Sequence, residues 1–178
     1  MKYKNIEFEA VVATPGCGKS YLCDKYPDKF VDVDEQRLRC KYYVPENVTR
    51  EELERTKGVR PYQKKYNGDE YIKELNKVLD KFVAEGKILI CAPHPEAIDY
   101  LVKNNIRFAF VYQNKEMKNE LIKRMKDRGN SEKMIQELTG QFDYFYEKNI
   151  NENQSVVKYE FGPSEYLEEI MKKFGCKF

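Results

Sequence analysis

Ala13-Thr14-Pro15-Gly16-Cys17-Gly18-Lys19-Ser20 follows an apolar run, Phe8 to Ala13, and opens a helical pattern that ends before Pro27. Strand, glycine-bearing turn and helix in that order read as a phosphate-binding loop. Backbone N–H groups freed by Gly16 and Gly18 converge on phosphate oxygens at a helix N-terminus, where unpaired amides and the macrodipole both favour negative charge. Lys19 then reaches the β- and γ-phosphates, and the Ser20 hydroxyl can bind Mg²⁺. Ala13 stands where the pattern G-x-x-x-x-G-K-[ST] has its first glycine. That departure is tolerable, because the closest approach of chain to phosphate falls nearer Gly16, Gly18 and Lys19.

Downstream of this helix, Phe30-Val31-Asp32-Val33-Asp34 reads as a second strand with carboxylates at its carboxyl end, the side on which open α/β sheets bind ligands. Residues two apart on a strand point the same way, so Asp32 and Asp34 are expected to face the loop together. One carboxylate can hold Mg²⁺ while the other accepts the proton of an attacking hydroxyl. The plainer alternative is two polar residues ending a strand. A third strand, Ile88 to Cys91, carries no carboxylate at its end, where the Walker B aspartate is ordinarily expected, which leaves Asp32 as the metal-site candidate. His94, the single histidine, follows between two prolines and is expected either near substrate or as a structural hydrogen-bonding residue.

Ile72, Leu75, Leu79, Phe82 and Val83 recur at helical spacing before the third strand. A short helix follows Pro95, and Phe108 to Tyr112 makes a fourth strand. Met117, Leu121, Ile122 and Met125 mark the next helix, which stops near Gly129-Asn130. Ser131 reads as the cap of a further helix holding Met134, Ile135, Leu138, Phe142 and Phe145. Val156 to Phe161 is a fifth strand, and Gly162-Pro163-Ser164 starts the last helix. Alternating strands and helices predict an α/β fold, a parallel sheet covered on both faces. The 178 residues fit one domain, 1–178.

Arg124 and Arg128 stand four apart on a helix and share a face. They are expected either to neutralise a transferring phosphoryl group from a lid spanning about 116–135, hinged at Gly129, or to form a solvated basic face. The segment of about 35–71 mixes Arg37, Arg39, Arg60, Lys64 and Lys65 with Tyr42, Tyr43, Tyr62 and Tyr66. Basic groups grip phosphate and aromatic rings stack on bases, so an acceptor nucleoside, nucleotide or strand end is expected there.

Thirty-two Lys and Arg against 30 Asp and Glu leave a net charge of +2, which requires neither nucleic acid nor an anionic membrane as partner. The five cysteines, 17, 23, 40, 91 and 176, have no paired metal spacing, and reduced thiols in a cytosol account for them. No apolar run approaches the roughly 18 residues of a membrane span. The amino terminus lacks the apolar core of a signal peptide. A soluble, cytoplasmic protein is therefore expected.

Gly16-Cys17-Gly18-Lys19-Ser20, the D-x-D of Asp32 and Asp34, and the helix end Arg124-Met125-Lys126-Asp127-Arg128-Gly129-Asn130 together resemble the P-loop kinases of nucleosides and nucleotides. The chain is similar above all to small single-domain kinases of the kind bacteriophages encode. The resemblance implies a P-loop NTPase fold with a five-stranded parallel sheet in the order 2-3-1-4-5, and an ATP- and Mg²⁺-dependent phosphotransferase. It implies that Thr14, Pro15, Gly16, Cys17, Gly18, Lys19, Ser20 and Tyr21 hold the donor, with Ser20 and Asp32 at the metal. Lys19, Asp34, Arg37, Arg124 and Arg128 would carry catalysis. Shikimate-type kinases have a similar D-x-D, with the first carboxylate on the metal and the second on the acceptor. Polynucleotide 5′-hydroxyl kinases have an aspartate followed three residues later by arginine, a spacing that Asp34 and Arg37 reproduce. A nucleotide-binding regulator that turns ATP over slowly or not at all is the further alternative.

Overall fold

Ala10–Ala13 (β3) is buried at every position, and its alternating side chains enter two different cores: Val11 and Ala13 on one face, Ala10 and Val12 on the other. Only a strand in the middle of a covered sheet has both faces dry, so this run fixes the layering. The structure is a computed structural model describing residues 1–49, 52–53, 62–65 and 69–178. Arg60 and Tyr66 of the expected acceptor segment lie outside these residues.

A two-stranded antiparallel hairpin, β1 (Lys2–Tyr3) and β2 (Ile6–Glu7), precedes β3 and was not expected. The chain continues through α1 (Lys19–Lys25), β4 (Phe30–Asp32) and α2 (Val33–Lys41), then α3 (Glu70–Ala84), β5 (Ile88–Cys91) and α4 (Pro95–Lys103). It ends with β6 (Phe108–Gln113), α5 (Met117–Asp127), α6 (Glu132–Gly140), α7 (Phe142–Ile150), β7 (Val157–Phe161) and α8 (Leu167–Lys173). Five strands form one parallel sheet in the order β4-β5-β3-β6-β7. Numbered within that sheet alone, this is the expected 2-3-1-4-5. Val11 lies opposite Ile90 on one side and Ala109 on the other.

Leu22, Leu121, Met125, Leu167 and Ile170 cover one face, so α1, α5 and α8 pack there. Leu75, Leu79, Ala97 and Leu101 cover the other through α3 and α4. Two helical readings are corrected. The pattern from Met134 to Phe145 is broken at Gln141 into α6 and α7, and Met134 and Phe145 are exposed rather than core residues. Val83 likewise faces out at the end of α3.

The second strand is shorter than its sequence suggests. It stops at Asp32, and Val33 and Asp34 already belong to α2. Asp32 caps that helix, its Oδ1 accepting from the Asp34 and Glu35 amides at 2.9 and 3.3 Å. A strand-end carboxylate that satisfies two orphan helix amides stabilises the turn more than a further strand residue would.

Candidate functional site

Leaving β3, the chain reaches the point where its neighbours in the sheet diverge, β4 and β5 to one side and β6 and β7 to the other. Crevices outside the carboxyl ends of parallel strands open at such a switch point. The turn from Thr14 to Gly18 fills it, with Gly16 at φ 81° and Gly18 at φ 95°. Both are left-handed conformations in which a side chain would be strained. At Gly16 a Cβ would also collide with Leu121 Cδ1.

Every carbonyl along this turn has a donor. Lys19 Nζ donates to Ala13 O at 2.9 Å and to Thr14 O at 3.2 Å. Gln113 Nε2 donates to Pro15 O, and Arg124 Nη1 to Gly16 O at 3.0 Å. The Leu167 amide donates to Cys17 O at 2.7 Å and the Leu22 amide to Gly18 O at 3.1 Å. The Gly16 and Gly18 amides, by contrast, have no acceptor among the described residues. A turn whose carbonyls are all engaged while glycine amides remain unspent presents positive polarity.

Lys19 is half-buried beside two carboxylates. Burial opposes its ammonium, but the Cys17 sulfur and the Asp34 and Asp32 carboxylates outweigh that and raise its pKa. Burial also raises the Cys17 pKa. Ser20 Oγ lies 3.5 Å from Asp32 Oδ2. One hydroxyl and one carboxylate suit Mg²⁺, which keeps several waters and is content with few protein ligands. Among the described residues, no group of three or more His, Cys, Asp or Glu side chains gathers as a metal site.

Asp34 points to the end of β5. Both of its oxygens accept from the Ala92 amide, at 3.2 and 3.1 Å, and Oδ1 lies 3.8 Å from His94 Nε2. Asp32 and Asp34 therefore converge on the same sheet edge without sharing a strand: one arrives as a helix cap, the other from the first turn. Arg37, one turn further along α2, sits 3.4 Å from His94 Nε2 through Nη2 and 3.6 Å from Glu96 Oε1 through Nη1. Its Nε is buried and has no acceptor among the described residues.

Arg124 is placed differently from the expected lid. It is buried, pairs with Glu120 at 2.9 Å, and donates to Pro163 O at 2.5 Å as well as to Gly16 O. Its guanidinium lies 4.0 Å from the centre of the Tyr166 ring. It is thus a strut between the turn and the start of α8, not part of a solvated basic face. Arg128, four residues on, is exposed at the end of α5. Thr14 is buried, with Oγ1 unpartnered among the described residues, while Tyr21 is exposed with Lys25 over its ring.

Sequence reasoning missed Glu96 and Tyr71. Glu96 Oε1 accepts from the Tyr71 hydroxyl at 2.6 Å. Glu96 follows Pro95 in the first turn of α4, but nothing in the sequence pairs it with a tyrosine 25 residues earlier. Burial pushes the Tyr71 phenol up to about 12, helped by that carboxylate. Among the described residues no helix is long and apolar enough to cross a membrane. A groove of about 410 Å³ bordered by Met1, Glu9, Arg107 and Phe174 lies at the opposite, amino-terminal edge of the strands.

No protein-family model matches the chain, and no curated protein matches it. Among solved structures, an uncharacterized protein from Eubacterium ventriosum ATCC 27560 is similar over 94% of this chain and 97% of that one, with 14% identity and a TM-score of 0.49.

Proposed function

We propose that the protein is an ATP- and Mg²⁺-dependent phosphotransferase of the P-loop kinase kind that acts on a nucleoside or nucleotide. The observation that carries this reading is the polarity of the turn after β3, where the carbonyls from Ala13 to Gly18 are all engaged and the Gly16 and Gly18 amides have no acceptor among the described residues. An anion is the natural partner of such a turn at a helix N-terminus.

Phosphoryl transfer is mostly positioning and charge neutralisation, and the residues at this edge divide those tasks. Gly16 and Gly18 bind phosphate oxygens through their amides. Lys19 exchanges its two carbonyl partners, Ala13 O and Thr14 O, for phosphate oxygens. Mg²⁺ held beside Ser20 and Asp32 would supply positive charge to the phosphate chain. Asp34, anchored at both oxygens by the Ala92 amide, orients the acceptor hydroxyl and takes its proton. Arg37 offers to the acceptor side its Nε, which has no acceptor among the described residues. Arg124 holds the turn in shape, which leaves Arg128 to meet the phosphates from the end of α5.

Incubation with labelled ATP, Mg²⁺ and a panel of nucleosides, monophosphates and oligonucleotides tests this directly. Label is expected on a nucleoside-bearing acceptor. Calorimetry that registers no association with any triphosphate in the presence of Mg²⁺ would sink the reading. Tight ATP binding without transfer to any acceptor would make the chain a nucleotide-binding regulator instead.

A further inference from the structure

His94 stands between Pro93 and Pro95. A proline disfavours the helical region for the residue before it, and His94 is accordingly extended, at φ −84° and ψ 137°, as the N-cap of α4. Its amide donates to Ala92 O at 2.7 Å, and its carbonyl accepts from the Ala97 and Ile98 amides. The backbone is therefore fixed on both sides. The imidazole makes no capping hydrogen bond to the helix that its own backbone starts. It turns instead to α2, where Nε2 lies 3.4 Å from Arg37 Nη2 and 3.8 Å from Asp34 Oδ1.

One ring nitrogen thus faces a donor and an acceptor at once. Arginine stays protonated and can only donate, so the 3.4 Å contact requires a lone pair on Nε2 and places the proton of the neutral ring on Nδ1. A second proton, on Nε2, reverses this. N–H then opposes N–H at Arg37, while Asp34 Oδ1 gains a donor. Asp34 is anchored by the Ala92 amide, and Arg37 Nη1 lies 3.6 Å from Glu96 Oε1, so both partners keep other contacts when the ring changes sides. The charged and titratable groups around the ring are Asp34 and Arg37 from α2, Glu96 from α4, Tyr71 of α3 behind Glu96, and Lys19 of α1 beyond Asp34. The ring is 37% exposed, which leaves it open to protons from solvent.

We propose that His94 is a positioning residue for the acceptor side: its unprotonated Nε2 holds Arg37 in place, and its protonated Nε2 releases Arg37 and occupies Asp34. The kinetic consequence rests on the phosphotransferase reading; the choice of partner does not. With Nε2 unprotonated, Arg37 is steadied for the acceptor and Asp34 Oδ1 keeps a lone pair for the acceptor hydroxyl. The added proton undoes both in one step. Activity toward the acceptor is then lost on the acid side through a group that touches neither phosphate nor hydroxyl.

His94 is the single histidine, so uniformly ¹⁵N-labelled protein without a tag gives one imidazole spectrum that needs no assignment. Above the titration, the two-bond nitrogen–proton correlation is expected to show the proton on Nδ1, and a proton on Nε2 would overturn the proposal. Arg37→Leu is expected to move that proton toward Nε2 and to raise the titration midpoint, because a facing cation is gone. An unchanged tautomer and midpoint in this variant would also overturn it. Transfer from labelled ATP is then followed with thymidine, dTMP and a 5′-hydroxyl oligo-dT, taking whichever accepts label. His94→Leu is expected to lower kcat/KM for the acceptor about tenfold, through the loss of one charge-assisted hydrogen bond, while KM for ATP stays within twofold of wild type. His94→Gln, whose carbonyl can accept from Arg37 near the Nε2 position, is expected to recover most of that loss. The acid limb of wild-type kcat/KM should share its midpoint with the imidazole spectrum and vanish in His94→Gln. Equal losses in the two variants, or the same acid limb in His94→Gln, would overturn the positioning role. Circular dichroism checks that each variant folds. Label on no acceptor overturns the phosphotransferase alone, and the spectra of wild type and Arg37→Leu still decide the choice of partner.

Discussion

Lys19 spends its charge on two carbonyls of its own turn, Ala13 O and Thr14 O, while Cys17, Asp34 and Asp32 raise its pKa against the effect of burial. An ammonium so placed is available to a stronger anion without being rebuilt. Lys19→Ala is expected to lower the turnover of labelled ATP by roughly 10²- to 10³-fold, the range typical for losing one preorganised charge-stabilising donor, with an unchanged circular dichroism spectrum. Asp32 does two things at once. Its Oδ1 caps α2 and its Oδ2 faces Ser20. Asp32→Ala should therefore cost about 1 kcal/mol in urea denaturation through the lost cap, and should separately raise the Mg²⁺ concentration needed for half-maximal activity. The residue types that mark this edge, Gly16, Gly18, Lys19, Ser20 and both aspartates, were legible because each has a narrow chemical use. The helix cap was not, since Phe30-Val31-Asp32-Val33-Asp34 alternates as a strand does, and an apolar Val33 reads the same in a strand as in a buried first helical turn.

At the scale of elements, Arg124 joins α5 to the turn after β3 and to the segment leading into α8. Removing it leaves Gly16 O, Pro163 O and Glu165 O without a donor that they now share. Arg124→Ala is expected to destabilise the protein by about 2–3 kcal/mol, as the loss of buried charge-assisted hydrogen bonds does, and to weaken ATP binding in calorimetry although Arg124 is not proposed to touch ATP. The i, i+4 spacing with Arg128 was legible. Its outcome, one arginine buried and one exposed, depends on partners about 40 and 110 residues away that no local pattern contains. Glu96 links α4 to α2 and α3. Burial pushes its carboxyl up, but the Tyr71 hydroxyl, its own backbone amide, Arg37 and His94 outweigh burial and hold it below the usual 4.5. A depressed carboxyl contributes stability that is complete above the unfolded value and is lost as pH falls through the lower folded one. Urea midpoints measured from pH 6 down to pH 3 should fall less steeply for Glu96→Gln than for wild type, and parallel curves would remove Glu96 from the acid response.

For the whole molecule, the sheet lies between two clusters of buried residues. Leu79 lies fully buried in one, Leu22 in the other. If the strands couple them, Leu79→Ala should cost roughly 2–5 kcal/mol and lower the urea midpoint by the same amount whether followed by far-ultraviolet circular dichroism or by tyrosine fluorescence. Two separated transitions would show that the faces unfold independently. The alternation of strands and helices across the parallel sheet was legible, because β3, β5 and β6 are short, mainly apolar runs, β7 alternates, and most helices keep their period. The amino-terminal hairpin was not, since two strands of two residues carry no periodicity. Nor was the division at Gln141, where apolar residues continue at helical intervals across the break.

The unengaged N–H groups of Gly16 and Gly18 after β3 belong to peptide bonds, not to side chains. Alanine scanning would report Gly16 and Gly18 only through crowding and torsion, and would overlook what they donate. Replacing either residue's own amide nitrogen with an ester oxygen, by semisynthesis, deletes one N–H while adding no Cβ. Triphosphate affinity that drops on such a swap, with folding retained, would identify main-chain hydrogen as the recognition element.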